Sequence, residues 1–195
     1  KESFVKSPVI SDPINLMDAS PVSDGAAAIV LSAHPIQNGQ KSVSVIASSS
    51  MTDTLSLQNR KESTRLTAAK TSAKSAYSQA GLTPADIDLF EYHDAFSIMA
   101  ALSLEAAGFC EPGQGPRLAI EGKIKFDSDI PVATMGGLKA RGHPVGATGI
   151  YQLVEATLQL RGQAGATQVK RPRHALTQNI GGSGSNIISH ILRSE

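Results

Sequence analysis

Apolar residues recur along the 195-residue chain with two periods, and together they predict an alternating α/β protein. The run at 26–31 is short and continuously apolar behind the Asp24-Gly25 turn, which suits a buried strand. His34, Pro35, Ile36, Gln37, Asn38 and Gly39 supply turn chemistry, and 43–46 alternates like a half-covered strand. Over 63–80, Leu66, Ala69, Ala73, Ala76, Tyr77 and Ala80 recur at three- and four-residue spacing. They predict an amphipathic helix, capped by Ser63 and ended by Gly81.

A strand over 87–91 leads into Tyr92-His93-Asp94 and then a helix to 107, with Asp94 as N-cap and Gly108 past the end. Residues 112–130 read as a looser stretch holding a short helix near 118–121. An extended piece at 131–135 precedes the glycine-rich stretch 136–142. Pro144 then takes a first helical position, and Ile150, Val154 and Leu158 form a stripe ending at Gly162. Strands at 175–179 and 186–192 flank the turn at 180–184. Residues 1–16 read as an incoming linker and 17–195 as one domain. The expected architecture is α/β, a mixed five-stranded sheet covered by helices in stacked layers.

Composition narrows the function classes. Apolar residues at 41% and charged residues at 18% describe a folded globular chain long enough to bury a core. The net charge is +1, and the one basic cluster, Lys170-Arg171-Pro172-Arg173, reads as a solvated loop before a strand. Aromatics at 4% with no Trp leave no stacking surface for single-stranded nucleic acid. No apolar run approaches the ~20 residues of a membrane span. The single Cys110 cannot form an internal disulfide, has no base beside it in sequence and reads as structural. These features favour a reducing, cytoplasmic setting. No His spacing suits a metal, so none is expected. The first residue is Lys, so the natural start is expected upstream.

Three segments place polar residues at strand ends or glycine-rich turns, where open α/β sheets hold their sites. His143 precedes Pro144 at the mouth of a helix, where unpaired N–H groups favour a neutral imidazole able to donate to an oxyanion or accept a thiol proton. A capping histidine in a glycine-rich turn is the plainer alternative. His93 lies at a strand-to-helix junction beside Asp94, which reads as a helix cap. The Asn179-Ile180-Gly181-Gly182 turn is either a tight hairpin or an oxyanion hole built from its N–H groups.

Taken together, these segments resemble the C-terminal half of the thiolase superfamily over about residues 5–193. Gly142-His143-Pro144-Val145-Gly146-Ala147-Thr148-Gly149 is similar to the family's G-H-P-x-G-x-x-G motif. Asp18-Ala19-Ser20-Pro21-Val22-Ser23-Asp24-Gly25-Ala26-Ala27-Ala28 resembles its entry strand. His93-Asp94-Ala95-Phe96 resembles the N-E-A-F motif in the H-D-x-F form of sterol-carrier-protein-type and archaeal-type thiolases, and Asn179-Ile180-Gly181-Gly182 resembles C-x-G-G.

The resemblance implies an acyl-CoA acyltransferase whose nucleophilic cysteine lies in an N-terminal half outside this chain. His143 would activate that cysteine, His93 would position one side of an oxyanion hole, and the Gly181 N–H would serve a second. It implies a coenzyme A thioester as substrate, no permanently bound cofactor, a homodimer or higher oligomer, and no activity in this half alone. One departure stands out. The second cysteine of the C-x-G-G motif is Asn179 here, and the alternative cysteine position is Ala95. Asn179 cannot take a proton from carbon. Two other readings therefore stand beside the first: a thiolase-like retro-aldolase on CoA-linked substrates, with Tyr92 and Tyr151 near the motifs, and a non-catalytic subunit that binds acyl-CoA or organises a partner.

Overall fold

In the computed structural model, residues 2–34 and 39–195 are described; residues 35–38 of the turn predicted over 34–39 lie outside them. The centre is a four-stranded mixed sheet. It is formed by β3 (Val43–Thr52), β4 (Leu89–Glu91), β5 (His174–Gly181) and β6 (Asn186–Ser194), in the order β3-β6-β5-β4. β4 runs parallel to β5, and the other pairings are antiparallel. Before the sheet come α1 (Glu2–Val5) and the small pair β1 (Val9–Ser11) and β2 (Ile14–Asn15), so the N-terminal stretch carries local structure of its own.

Strand alternation explains the two cores. Side chains of successive strand residues point to opposite faces. Register aligns Phe90, Leu176 and Ile191 in one row and Leu89, Ala175 and Leu192 in the next. The first row packs with Ala73, Ala76 and Tyr77 of α2 (Thr67–Ala80). The second packs with Ala156 and Leu160 of α6 (Thr148–Arg161). Between these helices in sequence lie α3 (Ser97–Ala106), α4 (Gly115–Ile120) and α5 (Gly137–Arg141).

Several expectations need correction. The run 26–31 is extended but forms no strand, and Val30 and Leu31 stay 84% and 75% exposed. The sheet accordingly has four strands where five were expected. α2 begins at Thr67 without a side-chain cap, so Ser63 does not cap it, although Gly81 ends it in the left-handed conformation as predicted. Pro144 lies before α6, its carbonyl accepting from Ala147 and Thr148 N–H in a preparatory turn.

The predicted stripe of α6 is also misplaced. Ile150, Val154 and Leu158 are only partly covered, whereas Thr148, Gln152, Glu155 and Gln159 are buried with Ala156 and Leu160. Polar groups can occupy that face because each meets a partner: Gln159 Nε2 donates to Thr134 Oγ1 at 2.7 Å and to the Thr167 carbonyl at 2.8 Å. Apolar periodicity alone cannot see such a face.

Candidate functional site

The site gathers at the carboxyl ends of the parallel strands β4 and β5, under the N-terminal end of α6. His93 follows β4 by two residues and is buried. Its neighbour Asp94 does cap a helix, but not the one expected. α3 begins at Ser97 with Phe96 at its N-cap. The Asp94 carboxylate instead accepts from Leu138 N–H at 2.8 Å and Lys139 N–H at 3.4 Å, in the first turn of α5. Gly137 permits this: its φ is +62°, and a Cβ there would lie 2.6 Å from both Asp94 oxygens. Burial raises the Asp94 carboxyl above its usual range, against these two hydrogen bonds, which lower it.

α5 delivers the chain to Gly142 and His143. Gly142 has φ +95°, and any side chain there would strike the Ser23 hydroxyl. The close approach lets His143 N–H donate to the Pro21 carbonyl at 2.9 Å, which fixes the backbone of the histidine. Its ring Nδ1 sits 2.7 Å from Thr148 Oγ1, and that hydroxyl donates to the Pro144 carbonyl at 3.1 Å. A hydroxyl has one hydrogen. When it goes to Pro144, Nδ1 of His143 is the donor and the lone pair is left on Nε2; when it goes to Nδ1, the tautomer reverses.

His93 and His143 meet edge to face, with ring centroids 5.1 Å apart and planes at 87°. A second chain of polarity orients His93. Gln152 Nε2 donates to the carbonyls of Tyr92 at 2.8 Å and Gln178 at 3.1 Å, so its Oε1 faces Asn179 as an acceptor. Asn179 Nδ2 lies 3.4 Å from that oxygen and 3.4 Å from His93 Nδ1. One amide nitrogen can thus serve two acceptors through long hydrogen bonds, leaving His93 protonated on Nε2. Both rings are held through Nδ1, His143 by Thr148 and His93 by Asn179.

Both are held neutral. Burial, then the His143 and Arg141 charges, pull His93 down to about 4. Burial and then Arg141 lower His143, with Asp94 pulling the other way.

Of the residues singled out from sequence, His93, His143 and Asn179 come together. Gly181 stands two residues beyond Asn179 on the same strand face, its carbonyl accepting from Gly184 and Ser185 N–H to close the turn. Thr148 and Gln152 were missed as functional groups; their i, i+4 spacing on the helix after Gly142-His143-Pro144 was the available signal. Cys110 is half-buried at the edge of the core, and desolvation raises its thiol to about 11, in keeping with a structural role.

A cleft of about 430 Å³ between Ser23–Ala27 and Pro144–Ala147 adjoins the His143 loop. A cavity of about 700 Å³, between the start of α2 and the end of α3, holds none of the paired residues. Neither is lined by His93, His143 or Asn179; the smaller one meets the histidine loop at Pro144. Among the described residues, no three His, Cys, Asp or Glu side chains are placed to share a metal ion, and no helix is long and apolar enough to cross a membrane.

Residues 49–194 match the family described as Thiolase C-terminal domain-like. The chain is 45% identical over 193 residues to an acetyl-CoA acetyltransferase of Methanothermobacter thermautotrophicus, covering 98% of this chain and 50% of that protein. It is 35% identical over 195 residues to sterol carrier protein 2 of Homo sapiens, covering 96% of this chain and 36% of that protein. Among solved structures it is similar in fold to the Ltp2-ChsH2(DUF35) aldolase, with TM-score 0.85 and 20% identity over 99% of this chain and 50% of that one. The chain therefore spans half or less of the length of these relatives.

Proposed function

The chain belongs to the thiolase family by its C-terminal domain, and from that premise we propose that it is the base-bearing half of a cysteine-dependent acyl-CoA acyltransferase. The observation that carries the reading is the edge-to-face His93–His143 pair, each ring held through Nδ1. His143 Nε2 takes the thiol proton of a cysteine held by the other half. The thiolate sulfur attacks the thioester carbonyl carbon, and the His93 Nε2–H donates to the oxygen that gains charge. The coenzyme A sulfur leaves and recovers the proton from His143, which leaves an acyl-cysteine. Transfer to the acceptor runs the same proton path in reverse, with the Gly181 turn as the second anion-stabilising element.

Asn179 stands where a second acid/base would be useful, but its amide does not titrate, and its contacts suit it to orienting His93. His143 then serves both half-reactions. The retro-aldolase reading draws less support. Tyr92 packs against Phe90 in the core, and Tyr151 lies under the Arg141 guanidinium, 4.7 Å from its carbon. Coenzyme A thioester as substrate and a thiol-bearing N-terminal half as partner complete the proposal. That relatives are about twice this length supports the second element.

The test is acyl transfer from a labelled acyl-CoA to the whole enzyme, read by mass spectrometry of the covalent adduct. A His143→Ala variant is expected to acylate about 10²–10⁴-fold more slowly. An adduct that forms equally fast without His143 overturns the assignment.

A further inference from the structure

The Gly181 turn is gripped on its outer side by one side chain that lies outside the histidine pair. After β3 the chain makes a short 3-10 turn, Leu57–Asn59, closed by Arg60 N–H donating to the Leu57 carbonyl at 3.1 Å. This directs the half-buried Arg60 guanidinium at two backbone oxygens. Its Nε donates to the Thr54 carbonyl at 3.0 Å, and its Nη1 donates to the Ser183 carbonyl at 2.8 Å. Beside it, Asp53 N–H donates to the Ser185 carbonyl at 2.9 Å.

Its neighbour Arg65 behaves as surface arginines commonly do, in an exposed ion pair with Glu62. Among the described residues Arg60 makes no ion pair, and its Nη2 is enclosed without an acceptor. The planar fork is thus committed to two carbonyls from segments far apart in sequence. Gly184 shows how closely the turn rests on it. Its φ is +92°, and a Cβ there would lie 2.8 Å from Leu66 Cδ2 and 3.4 Å from Arg60 Nη1. Leu66 in turn packs with Ile180 and Ile187 on the two strands that the turn joins.

We propose that Arg60 is the positioning residue of the Gly181 turn. Its guanidinium fixes the peptide planes from Ser183 back to Gly181, and so sets how the turn presents its N–H groups to the anion formed in acyl transfer. A peptide unit is planar, with carbonyl and N–H pointing in opposite directions. Holding the Ser183 carbonyl towards Arg60 therefore aims the Gly184 N–H the other way, onto the Gly181 carbonyl at 3.3 Å. Ser185 N–H donates to the same carbonyl at 3.2 Å. With that oxygen fixed, the Gly182 N–H on the same peptide must face away from it. Gly182 and Gly184 both have positive φ and no Cβ to resist rotation, so the turn has little stiffness of its own. Its orientation comes from the clamp.

This inference rests on the Gly181 turn serving the transfer step, so the test needs one readout free of chemistry. In the whole enzyme, amide hydrogen exchange by mass spectrometry over 179–187 follows the turn itself. Rapid quench with labelled acyl-CoA follows the acyl-cysteine, and steady-state kinetics follow transfer to the acceptor. Arg60→Ala is expected to speed exchange of that segment about tenfold. It should leave acyl-cysteine formation within about twofold and lower kcat for transfer about tenfold, with KM nearly unchanged. Arg60→Lys reaches one carbonyl in place of two and should fall between the wild type and Arg60→Ala. Guanidinium ion added to Arg60→Ala should restore part of the lost kcat, whereas a variant that had only lost stability would be weakened further by it.

Should Arg60→Ala fail to fold by circular dichroism, Gly184→Ala presses the turn away from the guanidinium from the other side and should show the same selective loss of transfer. Unchanged exchange over 179–187 overturns the clamp. So does a loss shared equally by acyl-cysteine formation and transfer, which marks an arginine that only supports the fold. If the wild-type enzyme forms no acyl-cysteine while exchange still responds to Arg60, the clamp on the turn stands and the acyl-transfer reading falls.

Discussion

Residues 26–31 and the middle of β6 read alike as sequence, each a short apolar run beside a glycine-bearing turn. They end in opposite environments. Ile187 and Ile191 are 0% exposed between β3 and β5, whereas Val30 is 84% exposed and pairs with no described strand. A strand is not a property of its own residues. Its backbone groups need partners on one side at least, and its apolar face needs a second layer. β6 has both within this chain, and the earlier run has neither.

The sharpest way to break this comparison is to truncate a buried member of the favoured run. Ile191→Ala should cost about 2–5 kcal/mol in urea unfolding, because its row is closed by Phe90, Leu176 and α2 and cannot collapse around the cavity. A cost under 1 kcal/mol would mean the row is looser than its burial indicates.

The next effect is electrostatic. His93 titrates near 4 in the fold against an ordinary 6.5, so between those values the unfolded chain binds a proton that the folded chain declines. Stability must fall as the pH drops from 6.5 towards 4, by on the order of 3 kcal/mol from this residue. His143 and His190, also lowered by burial, add in the same direction. A His93→Gln variant should show a shallower decline in urea midpoint across that interval, and an unchanged decline would remove His93 as its main source.

Gln152→Leu preserves bulk but strips a donor from the Tyr92 and Gln178 carbonyls, at about 1–3 kcal/mol. It also releases Asn179 from its orienting acceptor, so the His93 tautomer seen by ¹⁵N NMR should become mixed. A tautomer that stays single means Asn179 does not need Gln152. The smallest effect belongs to the exposed run: Val30→Ser should change the stability of this chain by no more than about 0.5 kcal/mol. A loss as large as that of Ile191→Ala would erase the distinction between the two regions.

Much of the layout was legible in advance. The helix closed by Gly81, the strand before His93 and the terminal hairpin follow from local periodicity and glycine placement, because their patterns persist over enough residues to decide helix or strand. His93, His143 and Asn179 could be singled out because strand ends and glycine-rich turns are where backbone groups stay free. The polar face of α6 could not be read this way. Thr148, Gln152 and Glu155 look like solvent-facing positions until Pro144, Tyr92, Gln178 and Arg141 arrive from distant parts of the chain to satisfy them.

Asp94 illustrates the boundary between the two kinds of information. Its chemistry, a short carboxylate suited to an orphan N–H group, is written in the residue. Which helix receives it is not, since α3 follows three residues later and α5 begins 43 residues on. The sequence by itself determined the periodic elements, the residue types able to do acid–base work and the glycines that allow close approach. Only the tertiary structure decided which group meets each histidine ring and which helix end receives Asp94. Those outcomes depend on groups that meet only when the strands and helices have packed.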